Sequence, residues 1–196
     1  MCNLYTQSKS VDEVARIFRA LQMPLVFPEG APNLASRDIA ITDPGPIVRA
    51  SALQPGAYDL VVRRWSWPGP GGKPVYNFRS EGREFSSGRC LILGDGFYEF
   101  TAPADPKQKR KDRWLFTWPG EPMLGIAGLV REVPETGEAF TMLTTEPGPD
   151  VAPYHNRQVA VLAPADWKAW LDHSPPPRGL LKPLPQGTLA VAAAPR

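Results

Sequence analysis

The stretch that most constrains the fold runs from residue 89 to residue 100. Residues 89–93 (Arg-Cys-Leu-Ile-Leu) are mostly apolar, residues 97–100 (Phe-Tyr-Glu-Phe) are mostly aromatic, and Gly-Asp-Gly separates them. Two short runs of this kind around a glycine-rich turn predict a strand–turn–strand unit. The sequence therefore predicts a core that is built from β-strands.

The distribution of proline and glycine supports this prediction. The 196 residues include 24 Pro and 17 Gly, which favours short elements joined by turns over a helical bundle. One amphipathic helix is predicted after Ser10, because Ser10 and Glu13 form a capping-box pattern before apolar residues at helical spacing. A second, short helix is predicted at residues 166–172, with His173 as a favourable cation at its end. Further strands are predicted at residues 2–5, 58–62, 114–118, 123–130, 140–145, 159–162 and 189–192.

Length, charge and composition limit the class of protein. The length predicts a single domain over residues 1–196, with an irregular C-terminal segment at 174–196. A net charge of +2 permits a nucleic-acid partner but requires its binding surface to be local. Two cysteines form no disulfide framework, and no signal peptide or membrane-crossing run is present, so a cytoplasmic protein is expected. Nothing in the sequence suggests an obligate partner, so a monomer is expected.

Cofactor motifs are also missing from the sequence. It has no glycine-rich phosphate loop and no Gly-x-Ser-x-Gly turn, and its two cysteines and two histidines lack metal-ligand spacing. We therefore expect neither a bound metal nor a nucleotide cofactor.

Cys2 is the first candidate for chemistry. If Met1 is removed, Cys2 carries a free α-amine and a thiol on adjacent carbons, and both groups have some nucleophilic form near neutral pH. Such a 1,2-aminothiol reacts with an aldehyde to give a five-membered thiazolidine ring. The alternative is that Cys2 is an ordinary small apolar residue of a first strand.

Two residues could supply protons to such a reaction. Glu99 lies among three aromatic residues, where desolvation would raise its pKa as a general acid or base requires. His155 lies at a junction between a loop and an apolar strand, where a rigid core can present it. The alternatives are a Glu99 that reaches water at a sheet edge and a structural His155. Cys90, within an apolar strand, is predicted to be a core residue.

Arg64, Trp65 and Trp67 form a separate candidate for binding. Aromatic residues beside cations, broken by proline and glycine, are typical of surfaces that grip single-stranded nucleic acid. The equal alternative is that the tryptophans anchor the core, with arginine lying over them. The basic run at residues 107–113 is predicted to be a solvated hairpin tip, with non-specific attraction of phosphate as the alternative.

Asn77, Arg79 and Glu81 alternate with other residues, so in a strand their side chains share one face. Three polar groups on one face indicate either a solvated surface or a polar site.

Taken in order, these patterns resemble one known family. The N-terminal Met-Cys, the Asn-x-Arg-x-Glu run at 77–81, the Gly-Phe-Tyr-Glu-Phe strand at 96–100 and the His-x-Arg junction at 155–157 are similar to the SOS-response-associated peptidase (SRAP) family. The likeness extends over residues 2–172. It implies an α+β fold, a compact single domain with a β-rich, barrel-like mixed core flanked by a few helices.

The resemblance also implies an activity. Proteins of this family bind single-stranded DNA and crosslink covalently to abasic sites through the N-terminal cysteine, in the DNA damage response. In this chain it implies that Cys2 attacks through a Schiff base to a thiazolidine and that Glu99 shuttles protons. It further implies that His155 assists opening of the sugar ring and that Asn77 holds Cys2 and the sugar. The family name implies autoproteolytic removal of Met1 as well.

The DNA-binding residues implied by the resemblance lie elsewhere in the sequence. Arg79 matches a phosphate-binding position, and Trp65 and Trp67 match an aromatic segment that lies against unstacked DNA. Thr144 is expected to line the same pocket as His155, and Arg64 adds a cation beside Trp65. Asn3 and Leu4 replace the glycine and arginine that the family usually carries after its cysteine. Two other functions stay open: an amidohydrolase with an N-terminal cysteine, and a non-catalytic module that binds single-stranded DNA.

Overall fold

The structure is a computed structural model of the chain, and it describes residues 2–105, 107–172 and 179–194. Met1 and His173 lie outside the described residues. The helices are α1 (Val11–Ala20) and α2 (Pro164–Leu171), with a short 3₁₀ turn at Pro70–Gly72. The strands are β1 (Leu4–Gln7), β2 (Leu25–Val26), β3 (Arg37–Ala40), β4 (Pro44–Ala50), β5 (Tyr58–Trp65), β6 (Trp67–Pro68), β7 (Pro74–Val75), β8 (Asn77–Arg79), β9 (Arg89–Gly94), β10 (Gly96–Thr101), β11 (Asp112–Thr117), β12 (Leu124–Val133), β13 (Gly137–Thr145), β14 (Gln158–Val159), β15 (Val161–Leu162) and β16 (Ala190–Ala193).

A closed ring of strands forms the centre of the molecule. Antiparallel pairs join β13 to β12, β12 to β9, β9 to β4 and β4 to β5. The ring closes because β5 also pairs with β13, in parallel register. Closure leaves these strands without an open edge, and it gives the sheet an inside and an outside.

Alternation along the strands of this barrel builds two separate cores. On β9, Cys90 and Ile92 face the core that contains Phe140, while Leu91 and Leu93 face the other core. Successive side chains of a strand point to opposite faces, so an uninterrupted apolar run is what a strand buried on both sides requires. This explains why residues 89–93 are apolar at nearly every position.

The two helices cover the outer face of the barrel. Helix α1 begins at the predicted capping box of Ser10 and Glu13 and buries Val14 and Phe18 completely. Helix α2 buries Trp167 and Trp170 in the same core. Both predicted helices are therefore present, and each packs one apolar face on the sheet.

A second sheet, in the order β16–β11–β10–β1–β3, shares the inner core with the barrel. Tyr5 of β1 connects the two, because its ring meets Trp65 of the barrel edge to face at 5.4 Å between centroids. A Cβ on Gly45 would lie 2.0 Å from the Tyr5 hydroxyl, so only glycine leaves room for this ring. Tyr5 thereby fixes the first strand, and with it Cys2, against the barrel.

Both strands predicted at residues 89–100 are present, as β9 and β10, but they do not pair with each other. Strand β9 pairs with β4 and β12 in the barrel, whereas β10 pairs with β1 and β11 in the second sheet. The chain passes from one sheet to the other at Asp95, whose carboxylate accepts hydrogen bonds from the Ser8 hydroxyl at 2.7 Å and the Lys9 ammonium at 2.6 Å. These long-range contacts, and not a local turn, determine the path of the chain.

The predicted fold class is confirmed: the chain is an α+β protein with a β-rich barrel core flanked by helices. The predicted strand at 2–5 lies later, at Leu4–Gln7, and the one predicted at 189–192 is β16, one residue further on. Among the described helices, neither is long and apolar enough to cross a membrane.

Candidate active site

Cys2 is held through both of its backbone groups. Its carbonyl oxygen accepts a hydrogen bond from the Asn77 side-chain amide at 2.8 Å, and its backbone nitrogen donates to the Glu99 carboxylate. The thiol is 1% exposed and donates to the Leu4 carbonyl oxygen at 3.3 Å. These contacts bring two residues from distant parts of the sequence, Asn77 and Glu99, to one cysteine.

The Cys2 thiol is a poor acid in this position. Burial raises the pKa of the thiol well above its usual range, and the nearby charge of Glu99 raises it further. A thiolate is the reactive form of cysteine, so the thiol needs a base before it can attack. The backbone nitrogen of Cys2, hydrogen-bonded to Glu99, is closer to such a base.

Glu99 is buried among apolar neighbours, as its sequence context predicted. It lies on β10, shares a sheet face with Phe97, and is 1% exposed. Desolvation raises the pKa of its carboxyl group to about 7. Near neutral pH the protonated and ionised forms are then both populated, which suits a group that both takes and returns a proton. The alternative of a water-exposed edge residue does not hold.

His155 ends a tight turn in which the Val151 carbonyl oxygen accepts hydrogen bonds from the backbone of Tyr154 and His155. Its Nδ1 accepts a hydrogen bond from the Arg157 backbone N–H at 2.9 Å. The same Nδ1 lies 3.2 Å from the Arg157 carbonyl oxygen, so both backbone groups of Arg157 hold the ring in place. Burial lowers the pKa of His155, and the charge of Lys111 lowers it further, so the ring is neutral at pH 7.

Glu99 and His155 line one cavity of about 630 Å³. Arg110 and Lys111 lie on its wall, as does Asn3, the residue after the candidate nucleophile. The basic run to which Arg110 and Lys111 belong is an exposed loop between the paired strands β10 and β11, as predicted. Its position beside Glu99 and His155 was not predicted, since only the basic composition was visible in the sequence.

The predicted polar face of residues 77–81 is shorter than expected. Strand β8 ends at Arg79, which is exposed, and Glu81 lies in the turn that follows. Glu81 instead forms a bidentate ion pair with the guanidinium of Arg157. The His-x-Arg motif includes Arg157, but its pairing with Glu81 was not predicted, because the two residues are distant in the chain and only the fold joins them.

Thr144 does not line the cavity, contrary to the prediction. It is buried, and its hydroxyl and carbonyl oxygens both accept hydrogen bonds from Arg157, each at 2.9 Å. The physical reason is that β13 is a barrel strand whose side chains at this level are covered. Thr144 therefore positions Arg157. Arg157 in turn holds the ring of His155, because its backbone N–H donates to Nδ1 of that ring.

Trp65 and Trp67 are not exposed, and this corrects the prediction that they stack on DNA bases. Trp65 is fully buried and donates from Nε1 to the Tyr76 carbonyl oxygen at 2.9 Å. Trp67 is 5% exposed, and the guanidinium of Arg131 lies 4.1 Å from its ring centroid. The alternative of core anchors is the correct one. Arg64 is exposed.

The fold and the cluster around Cys2 define a barrel protein with a candidate cysteine nucleophile just before the first strand of its second sheet. A family model described as SOS response associated peptidase (SRAP) matches residues 1–194, so the chain belongs to that family. This membership confirms the resemblance that the sequence motifs indicated. No curated protein matches the sequence.

Solved structures show the same fold. A protein from Bordetella bronchiseptica aligns with a TM-score of 0.72 at 23% identity over 100% of both chains. A protein from Bacteroides thetaiotaomicron aligns with a TM-score of 0.73 at 17% identity, covering 98% of this chain and 91% of its own. A phage-related protein from Bordetella bronchiseptica aligns with a TM-score of 0.73 at 18% identity, covering 100% of this chain and 95% of its own.

Proposed function

We propose that this protein recognises abasic sites in single-stranded DNA and attaches covalently to them through Cys2, which shields the lesion in the DNA damage response. The observation that carries the proposal is the contact of the Cys2 nitrogen with Glu99, a carboxyl group whose pKa is raised to about 7. Asn77 holds the same cysteine by its carbonyl group. An abasic site provides the matching electrophile, because its sugar exists partly as a ring-opened aldehyde.

The first step uses the nitrogen of Cys2, which becomes an α-amine once Met1 is removed. The Glu99 carboxylate takes a proton from the ammonium form, and the free amine attacks C1′ of the aldehyde to form a carbinolamine. Glu99 then returns the proton to the departing hydroxyl group, so that water leaves and a Schiff base remains. A group that titrates near neutral pH is suited to both proton transfers.

The second step uses the thiol. The raised pKa keeps the thiol protonated until the Schiff base has formed next to it. Glu99 accepts the thiol proton, sulfur adds to the imine carbon, and the imine nitrogen receives the proton. The product is a thiazolidine ring, and the overall reaction of amine, thiol and aldehyde releases one molecule of water.

His155 supports the stage before the attack. Its neutral ring lines the same cavity as Glu99 and is held at Nδ1 by the backbone of Arg157. A donor in this position can protonate O4′ of the closed sugar and favour the open-chain aldehyde. The exposed cations of Arg64 and Arg79 are proposed to contact phosphates of the strand.

The buried thiol also favours this reaction over hydrolysis of an amide. An N-terminal-cysteine amidohydrolase attacks with the thiolate first, and burial disfavours the thiolate of Cys2. Attack by the amine avoids this cost, because the thiol enters only after the Schiff base has been made. The proposal includes two further activities. One is autoprocessing at Met1, which corresponds to the peptidase in the family name, and the other is lyase-like chemistry through the Schiff base.

A denaturing gel tests the proposal. Purified protein is incubated with a single-stranded oligonucleotide that carries one abasic site, and a shifted band stable to heat and detergent is expected. A variant with glutamate inserted between Met1 and Cys2 is the matched control, because Met1 is then retained and the amine belongs to the wrong residue. Absence of the band for the processed wild-type protein would contradict the proposed function.

A further inference from the structure

The loop between β10 and β11 carries a concentration of positive charge. Lys107, Lys109, Arg110 and Lys111 lie within five consecutive positions, and all four are exposed. The shape of the loop is maintained by Gln108, whose side-chain amide donates to the Arg110 carbonyl oxygen at 2.7 Å and to Asp112 at 2.8 Å. Asp105 and Asp112 also accept hydrogen bonds from backbone N–H groups of the loop, so its polar contacts come from Gln108 and two carboxylates.

Two of these cations, Arg110 and Lys111, are available for a ligand. Among the residues that the structure describes, neither of them makes an ion pair with a carboxylate. Other cations near the site are occupied, as Arg157 is by Glu81. An exposed cation without a carboxylate partner can release counterions when it meets a phosphate, and this favours binding to nucleic acid.

A second cleft lies against the same loop. It has a volume of about 630 Å³, and its walls include Arg110, Lys111, Trp114 and the end of β16 at Ala193 and Ala194. Because Arg110 and Lys111 also line the cavity of Glu99 and His155, the two spaces share a cationic wall. A chain molecule that occupies the first cavity can extend along Arg110 and Lys111 into the second, whose lining also includes Lys109 and Asp112.

Trp114 is the aromatic residue of this second cleft, and the fold sets its position beside the site. In the register of β10 and β11 it lies directly opposite Glu99, so the two side chains share a sheet face. Its indole N–H donates to the Thr101 hydroxyl at 2.9 Å, and its ring packs 4.9 Å from Tyr154, the residue before His155. The ring is half-buried, unlike the enclosed indole of Trp65.

We propose that Trp114, Arg110 and Lys111 hold the DNA strand next to the reacting sugar. A nucleotide adjacent to the lesion stacks its base on Trp114, and its phosphate lies on Arg110 and Lys111. Aromatic rings combined with cations grip single strands independently of sequence. This inference rests on the proposed function for its ligand, a DNA single strand, and the cleft adjoins the cavity that would receive the abasic sugar.

Charge removal tests the cationic part. In a Cys2→Ala background, binding of an undamaged single-stranded oligonucleotide is measured across a series of salt concentrations. Arg110→Gln/Lys111→Gln should flatten the slope of log affinity against log salt by about 1.4, or about 0.7 per lost phosphate contact. Lys107→Gln/Lys168→Gln removes the same charge at exposed positions outside both clefts, and its slope should stay near that of the parent. Equal slopes for the two double variants would overturn the inference.

Substitution of the ring tests the stacking part. Trp114→Leu should weaken binding of the oligonucleotide about fivefold or more, whereas Trp114→Phe should retain most of the affinity. Trp118→Leu, at a half-buried position after β11, controls for loss of an indole that lines neither cleft. Thermal unfolding of each variant separates a binding defect from a folding defect. An affinity of Trp114→Leu equal to that of Trp118→Leu would exclude Trp114 from the binding surface.

The two proposals fail separately. If no crosslink forms but the loop variant changes the salt slope, the chemistry of Cys2 is wrong and the binding surface stands. If the crosslink forms and the loop variant behaves like its control, the function stands and the binding surface is wrong.

Discussion

The two cysteines of the chain occupy buried positions that differ in their neighbours. Cys2 and Cys90 are at most 1% exposed, and burial raises the pKa of both thiols. Cys90 faces the apolar barrel core, and a Cβ on Gly128 would lie 3.2 Å from its sulfur. Cys2 instead has Asn77 on its carbonyl group and Glu99 on its nitrogen, beside a cavity. Burial alone therefore does not distinguish a candidate nucleophile from a core residue.

The barrel and the second sheet also differ in the polarity of the positions that face inward. Inside the barrel, alternate positions of each strand stay apolar. On β10 the inward face changes from Phe97 to Glu99 within two residues, where the sheet leaves the shared core and reaches the cavity. A carboxyl group placed at that transition is desolvated but still next to a space that a substrate can enter. The four predictions below test this difference, in order of decreasing expected effect.

The largest effect is expected from the cysteines themselves. Cys2→Ala should abolish the heat-stable crosslink to an abasic oligonucleotide, because no thiol remains to close the thiazolidine. Cys90→Ala should keep the crosslink and lower the free energy of unfolding by about 1 kcal/mol, as a small core truncation does. Gel shift and urea denaturation measure the two results. A crosslink that needs Cys90 as much as Cys2 would remove the distinction between the two sites.

Glu99→Gln should slow crosslink formation by about 100-fold or more, because general acid–base catalysis contributes about 10² to 10⁴ in rate. The variant keeps the size of the side chain and a hydrogen-bond acceptor for the Cys2 nitrogen. Glu84→Gln, at an exposed position, is the matched control and should leave the rate unchanged. The measurement is the single-turnover rate of adduct formation; an unchanged rate in Glu99→Gln would make Glu99 a structural residue.

Trp65→Ala should lower the free energy of unfolding by about 3–5 kcal/mol, because it leaves a cavity in the barrel and removes the bond to the Tyr76 carbonyl oxygen. Binding of single-stranded DNA by the folded fraction should retain its salt dependence. Chemical denaturation and a salt titration check this pair of outcomes. A specific loss of DNA binding with stability intact would restore Trp65 as a contact residue.

The raised pKa of Glu99 means that burying its ionised carboxylate lowers the free energy of unfolding. In the unfolded chain the carboxyl group ionises near pH 4.5, whereas in the folded protein it keeps its proton up to about pH 7. The folded state therefore binds more protons between these values, so this contribution to stability is complete below pH 4.5 and is lost as the pH rises through 7. Glu99→Gln removes the cost and should stabilise the protein at pH 8 by up to about 3 kcal/mol, with little effect at pH 4.5.

Denaturation at the two pH values measures that difference. Glu84→Gln again serves as the control, since an exposed glutamate carries no such penalty. Equal stabilisation at both values would show that Glu99 is not desolvated in the folded protein.

Features that depend on neighbours in the sequence were predicted well. The capping box of Ser10 and Glu13 starts α1, and the apolar residues around Cys90 form a buried strand. Glu99 was predicted to be desolvated because aromatic residues adjoin it on the same strand, and the structure confirms this. Each of these properties is set by residues a few positions away, so the sequence contains the information directly.

Features that depend on distant residues were not predicted. The Gly-Asp-Gly turn connects two sheets instead of two paired strands, because Asp95 is bound by Ser8 and Lys9. The tryptophans beside Arg64 are enclosed by the barrel, while Trp114 lies half-exposed beside the basic loop. Residue type and spacing do not distinguish these cases, since the burial of an indole depends on which strands cover it.

The sequence by itself determined the β-rich fold and the family, and it singled out the four candidate residues Cys2, Asn77, Glu99 and His155, because these are contained in local patterns and their order. Only the tertiary structure decided what surrounds them. It joined Asn77 and Glu99 to Cys2, paired Arg157 with Glu81, and placed Arg110 and Lys111 on the wall of the cavity. The physical reason is that hydrogen bonds and desolvation act over a few ångströms, and the closure of the barrel sets those distances.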